Sequence, residues 1–92
     1  LVNLKKLCLN HNEIELIENM TFNNLFKLEL LNLSDNQLSY LNPFTFNNLE
    51  CLIELDVSDN QLTSIEPLTF QRTKKLKRLL LNKNQIPNLD RH

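Results

Sequence analysis

The chain has 92 residues, of which 41% are hydrophobic and 23% are charged, and its formal net charge is −1 at pH 7. This near-neutral balance argues against a protein that binds nucleic acid through charge, which would carry a clear excess of Lys and Arg. No apolar run is long enough to cross a bilayer, and the first residues lack the basic-then-apolar pattern of a signal peptide. The two cysteines, Cys8 and Cys51, are too few and too far apart for a disulfide framework or a zinc site.

One pattern runs through the whole chain with a period of 24 residues. Aliphatic residues occupy equivalent positions around four equally spaced asparagines, and such repetition predicts a stack of similar units that share one core. The pattern divides the chain into repeats 4–27, 28–51, 52–75 and a partial 76–92, with residues 1–3 ending a preceding repeat. The four marker residues are Asn12, Asn36, Asn60 and Asn84.

The first repeat opens with a short strand. In Leu7-Cys8-Leu9 the aliphatic residues follow the two-residue period of a half-buried strand, and one such strand needs stacked neighbours to bury its apolar face. Leu1 fits the frame one period before Leu25. The intervening residues should face solvent, and their charge is basic: they are Lys5, Lys6, Cys8, Asn10 and His11.

The second and third repeats carry the same frame with acidic outward positions. Their strands are predicted at Leu31-Asn32-Leu33 and Leu55-Asp56-Val57. The outward residues are Glu29, Leu30, Asn32, Ser34 and Asp35 in the second repeat, and Ile53, Glu54, Asp56, Ser58 and Asp59 in the third.

The fourth repeat returns to basic charge. Its strand is predicted at Leu79-Leu80-Leu81, and its last frame position is Leu89. An acidic centre should therefore lie between two basic flanks on one face. The outward residues of this repeat are Lys77, Arg78, Leu80, Asn82 and Lys83.

The repeated asparagines stand where each strand ends and the chain turns inward. Glycine is absent from the chain, and Asn is the residue that best tolerates left-handed backbone in its place. A side-chain amide also offers donors and an acceptor, so each Asn should bridge to the backbone of the next turn and form a ladder. Replacing Asn36 by Leu should leave buried groups unpaired, at about 1–3 kcal/mol per group. These residues are predicted to be structural.

Phe22, Phe46 and Phe70 recur with the same period, each after a Thr. A stripe of Phe at a fixed period is more often core than ligand site. We therefore expect the three rings to stack into a spine on the side opposite the strands.

The combined frame, LxxLxLxxNxLxxLxxxxFxxLxx, resembles the leucine-rich-repeat family in its typical 24-residue subtype, over the whole chain. Toll-like receptor ectodomains, small leucine-rich proteoglycans and secreted invertebrate immune proteins are similar. The resemblance implies an α/β-class, right-handed solenoid, with short parallel strands on a concave face and irregular or 3-10 connections on the convex side.

The resemblance also implies a recognition module that binds a protein ligand or co-receptor through the concave face, in an extracellular receptor or a secreted immune or adhesion protein. Two other hypotheses remain open: a spacer within a longer array, and an intracellular adaptor. Charge sorting along the strands could also arise simply because opposite charges on neighbouring strands attract. The candidate ligand-binding residues are Glu29, Leu30, Asp35, Ile53, Glu54, Asp56, Asp59, Lys77, Arg78 and Leu80.

Catalysis and metal binding are not expected. Carboxylates on an open sheet lack the enclosing oxygens that calcium needs and the desolvated pocket that acid–base chemistry needs. The sequence therefore predicts no enzyme activity, cofactor or metal site.

Two N-glycosylation sequons begin at Asn19 and Asn32. A glycan on Asn32 would obstruct the proposed concave surface, whereas Asn19 should lie on the convex side. Cysteine-rich caps, usual in extracellular members of the family, are not seen, so two alternatives stay open: the parent chain has further repeats or caps, or a neighbouring molecule covers the open ends.

Overall fold

The computed structural model describes residues 2–87; Leu1 and residues 88–92, including the predicted frame position Leu89, lie outside the described part. Four three-residue strands form one parallel sheet in the order β1-β2-β3-β4. Each predicted repeat contributes one strand, which confirms the parallel-strand architecture. The strands are β1 (Lys6–Cys8), β2 (Leu30–Asn32), β3 (Glu54–Asp56) and β4 (Arg78–Leu80).

The register of the sheet aligns equivalent residues of successive repeats. Leu7 is the partner of Leu31, which in turn pairs with Leu55 and then with Leu79. Because neighbouring strands lie about 4.8 Å apart, equivalent side chains form rows that run across the sheet. Backbone pairing continues just beyond the strands, since the Leu33 N–H donates to the Asp56 carbonyl at 2.7 Å.

The core lies behind the sheet and is most complete in the two middle repeats. Leu31 and Leu55, which point inward from β2 and β3, are fully buried, whereas Leu7 and Leu79 of the outer repeats are only partly buried. Each outer repeat has a neighbour on one side only in this structure. This difference fits a stack in which every repeat covers the aliphatic residues of the next.

The convex side is made of turns; residues 2–87 contain no α-helix. Hydrogen bonds link residues three apart, as from the Thr45 N–H to the Asn42 carbonyl at 3.1 Å. The predicted Phe spine is confirmed: the rings of Phe22 and Phe46 are stacked with centroids 6.4 Å apart, and those of Phe46 and Phe70 with centroids 6.0 Å apart.

Three of the four predicted ladder asparagines bridge two repeats, although their bonds run to the preceding turn rather than to the next one; Asn12 bonds only within its own repeat. Asn36 Nδ2 donates to the Leu9 carbonyl at 3.1 Å, and its Oδ1 accepts from the Ile14 N–H at 3.1 Å. Both partners belong to the first repeat. Asn60 and Asn84 make equivalent bonds to the second and third repeats.

The expectation that Asn would occupy left-handed backbone is wrong. In the described residues, positive φ angles occur one position before each ladder Asn. The ladder side chain must point inward to reach several carbonyls, so the preceding residue makes the reversal with its own side chain in solvent. A polar side chain is tolerated there without glycine. The residues are His11 (φ 61°), Asp35 (φ 55°), Asp59 (φ 55°) and Lys83 (φ 60°).

Candidate binding surface on the sheet

The solvent-facing side of the sheet, here called the sheet face, carries all ten residues that the sequence singled out for binding. Cross-strand register brings Leu30, Glu54 and Arg78 into one row and Asp56 and Leu80 into another. Glu29, Ile53 and Lys77 occupy the position just before each strand, and Asp35 and Asp59 the left-handed position after it.

Five carboxylates form an acidic centre on the sheet face. The carboxylates of Glu29, Asp35 and Asp59 are exposed, and those of Glu54 and Asp56 on β3 are half-buried. Asp35 and Asp59 hold identical positions in adjacent repeats, so like charges are neighbours there. The acidic centre consists of Glu29, Asp35, Glu54, Asp56 and Asp59.

One His–carboxylate hydrogen bond and one ion pair cross between repeats in the described part of the chain. His11 Nδ1 lies 2.6 Å from Asp35 Oδ2, and Arg78 Nε lies 3.6 Å from Glu54 Oε1. Three of the four side chains are exposed and Glu54 is half-buried, and surface pairs of this kind contribute only about 0–1 kcal/mol. Within residues 2–87, the other three carboxylates of the acidic centre form no ion pair.

Asp56 also has a structural role. Its Oδ1 accepts hydrogen bonds from the Ser58 N–H at 3.0 Å and from Ser58 Oγ at 2.6 Å. Asn32 makes the same two bonds to Ser34 one repeat earlier. This local turn bond accounts for a polar residue at the end of the strand, so Asp56 is not free for a ligand in the way that Asp59 is.

Apolar side chains lie between the carboxylates on the sheet face. Ile53 is 37% exposed, while Leu30 and Leu80 are half-buried. Ile53 immediately precedes Glu54, so an apolar contact point lies beside the acidic centre. An apolar anchor beside charged residues is a common composition for a protein-binding surface.

The repeat geometry agrees with a direct comparison of sequences. The model of the family described as leucine rich repeat matches residues 2–62 and 52–92. The chain belongs to the leucine-rich-repeat family. No match was found among the curated proteins compared.

Solved leucine-rich-repeat structures superpose on almost the entire chain. A chain of the Toll–Spatzle complex, described as a molecular hub in Drosophila development and innate immunity, matches with a TM-score of 0.88 and 34% identity. The match covers 97% of this chain and 12% of that one. The leucine-rich repeat domain of APL1B matches with a TM-score of 0.89 and 36% identity, over 94% of this chain and 25% of that one. The chain therefore spans only a small part of these relatives.

The two sequons lie in different surroundings on the leucine-rich-repeat coil. Asn19 is exposed in a convex turn, and Asn32 is half-buried at the end of β2. Cys8 is exposed on the sheet face, as expected, and both cysteines are free. No helix among residues 2–87 has the length and apolar character needed to span a membrane.

A cleft between the second and third repeats was not anticipated from the sequence pattern. It has a volume of about 550 Å³ and lies at the side of the coil where the chain approaches β4. The basic run before β4 was the one available signal, because the repeat frame says nothing about variable loop positions. The cleft is lined by Asn47, Glu50, Cys51, Arg72, Lys74 and Lys75.

Proposed function

We propose that the sheet face is the docking surface for a protein ligand or co-receptor with a positively charged centre, in an extracellular receptor or a secreted immune or adhesion protein. The fold presents the acidic centre and Ile53 together on one open face. Complementary charge would mainly increase the association rate and the specificity of such a contact. The carboxylates lie on an open sheet, so we propose binding rather than catalysis.

The observation that carries the proposal is that two like charges, Asp35 and Asp59, hold equivalent positions in adjacent repeats. If cross-strand attraction alone had selected the charges, opposite signs would be expected at neighbouring positions. Two like charges are present instead, and Asp59 forms no ion pair among the described residues. The core and the asparagine ladder do not require either carboxylate, and the left-handed turn requires a tolerant residue but not a charge, since His11 and Lys83 occupy the same position in the outer repeats.

The structural relatives support a protein as the ligand. The Toll–Spatzle structure contains a chain that closely matches this one together with a protein partner. Because the match covers 12% of that chain, the corresponding role here is inferred for the repeat type rather than for a particular ligand.

Charge reversal of the acidic centre tests the proposal, and the chain provides its own precedents for foldable substitutions. Lys5 and Lys77 occupy the position of Glu29, Lys6 that of Glu54, and Lys83 that of Asp59. The triple variant Glu29→Lys/Glu54→Lys/Asp59→Lys therefore places Lys only where another repeat already carries it. Asp56 is left unchanged because it holds the Ser58 turn.

Binding is read out with a photocrosslinking amino acid at position 53, in protein incubated with extracellular fluid of the source tissue. A matched probe at Leu68, which is 56% exposed on the convex side, reports on the opposite surface. We expect a crosslinked partner at position 53 that disappears in the triple variant, and none of that mass at position 68. A partner retained in the triple variant favours the spacer hypothesis instead.

Expression in a secretory host addresses the third hypothesis, an intracellular adaptor. An extracellular protein should pass through the secretory pathway folded and with a glycan on an accessible sequon. Secreted protein without any glycan on Asn19 would favour the intracellular alternative.

A further inference from the structure

Positive charge is strongly concentrated where the third repeat passes into the fourth. No Asp or Glu occurs between Glu66 and Asp90. Half of the ten Lys and Arg residues of the chain fall between positions 72 and 78: Arg72, Lys74, Lys75, Lys77 and Arg78. The chain is therefore far from uniform despite a net charge of only −1.

The fold gathers these cations around the cleft at the start of β4. Arg72, Lys74 and Lys75 line the cleft itself, and Lys77 follows them just before the strand. All four side chains are exposed. We call Arg72, Lys74, Lys75 and Lys77 the basic edge.

The positive charge of the basic edge is not neutralised within the described chain. Its four cations form no ion pair among residues 2–87, whereas Arg78, the next residue along, contacts Glu54. Glu50 is the one acidic side chain that lines the cleft, against three cationic ones. Asn47 adds an amide that can donate and accept hydrogen bonds.

We propose that the basic edge and its cleft bind a sulfated polysaccharide. Binding would come largely from the release of counterions, as for other linear polyanions. A flexible sulfated chain can follow the short row of cations along the cleft. A rigid nucleic-acid duplex would extend over the acidic second and third repeats and be repelled. The cleft also has no exposed large apolar residue to insert into a bilayer.

This site differs from the one proposed for a protein ligand in both position and charge. The acidic centre lies on the sheet face, whereas the basic edge lies in the loop that precedes β4 and lines the cleft at the side of the coil. Lys77 is the one residue shared between the basic edge and the predicted flank of the sheet face. Because the other residues of the two sites differ and carry opposite charge, the two proposals can fail independently of each other.

The first test measures binding of a fluorescent heparin oligosaccharide to the protein at several NaCl concentrations. Lys74→Gln/Lys75→Gln removes two cations from the cleft, and Lys5→Gln/Lys6→Gln removes two exposed cations from the first repeat. Both variants change the net charge equally. We expect the salt slope of log K to fall by about 1 for each cleft lysine removed, and to be unchanged in the control.

The second test locates the ligand without changing any charge. Cys51 lines the cleft and is half-buried, while Cys8 is exposed on the sheet face two strands away. Saturating heparin should slow the reaction of Cys51 with a neutral maleimide several-fold and leave that of Cys8 unchanged. Quantitative mass spectrometry of the two cysteine peptides gives both rates from one sample.

Three results would overturn the proposal. They are equal slope changes in the two double variants, equal protection of both cysteines or of neither, and binding to anionic phosphatidylserine vesicles without binding to heparin. The last result would assign the basic edge to a membrane surface. Desulfated heparin, with the same sugar backbone, is expected to bind neither the protein nor the variants.

Discussion

The Asn60 side-chain amide donates a hydrogen bond to the carbonyl of Leu33, which is 3.1 Å away and 27 residues earlier in the chain. The same amide nitrogen donates to the Val57 carbonyl of its own repeat, and Oδ1 accepts from the Leu38 N–H at 3.0 Å. One buried side chain thus satisfies backbone groups of two successive turns, which neither turn could satisfy alone.

We therefore expect Asn60→Ala to lower the free energy of unfolding by about 1–3 kcal/mol for each backbone group left unpaired. Asn12→Ala is the matched control, because Asn12 is exposed and its two side-chain hydrogen bonds lie within its own repeat. Urea denaturation followed by circular dichroism gives both values. Equal losses in the two variants would contradict a bridging role for the ladder.

The Phe spine offers a second stability prediction. Phe46 is fully buried and stacked between two other rings, so Phe46→Ala should destabilise the protein by about 3–5 kcal/mol. Phe44 is two residues earlier and 59% exposed, and Phe44→Ala should change stability by no more than about 0.5 kcal/mol. Thermal unfolding of both variants measures the contrast. A large loss of stability in Phe44→Ala would contradict the exposed position of the Phe44 ring.

Position 59 tests the left-handed turn. Asp59 has a φ of 55°, a conformation that β-branched residues disfavour, so Asp59→Val should lower the free energy of unfolding by about 1–3 kcal/mol. Asp59→Asn removes the charge but keeps the shape and should be nearly neutral. Chemical denaturation of the pair separates backbone strain from charge. Equal free energies of unfolding for the Val and Asn variants would contradict a left-handed backbone at position 59.

Glycosylation is expected at Asn19 and not at Asn32. Asn19 is exposed in a convex turn, whereas Oδ1 of the half-buried Asn32 accepts bonds from the Ser34 N–H and hydroxyl at 3.0 and 2.7 Å. In protein from a secretory host, Asn19→Gln should abolish the mass shift caused by enzymatic deglycosylation. Asn32→Asp should leave the shift intact and keep the local turn, because Asp56 makes the same bonds. The reverse pattern would place a glycan on the sheet face and contradict the proposed docking surface.

Much of the architecture could be derived from residue types at fixed spacing. The strands, the inward Leu residues, the Asn ladder and the Phe spine all depend on contacts that repeat identically in every turn. A one-dimensional pattern is sufficient for such contacts, because each repeat meets its neighbour in the same way. The outward positions also followed from the alternation of a strand.

The sequence could not indicate how each turn is made in detail. Asn is the residue usually associated with left-handed backbone, yet His11, Asp35, Asp59 and Lys83 adopt it. The choice depends on the inward direction of the following Asn, which is a constraint of three-dimensional packing. Similarly, the turn bond of Asp56 to Ser58 could not be distinguished from a free carboxylate.

By itself, the sequence determined that this chain is a leucine-rich-repeat stack. Aliphatic residues with a 24-residue period are buried when successive repeats stack and share one core. Only the tertiary structure decided which of the variable side chains come into contact across repeats. It brought Cys51 beside Lys74 and Lys75 in a cleft between repeats, and Glu54 within 3.6 Å of Arg78. The reason is physical: the repeat pattern specifies contacts within the core, whereas surface neighbours depend on how the variable loops of adjacent turns lie against each other.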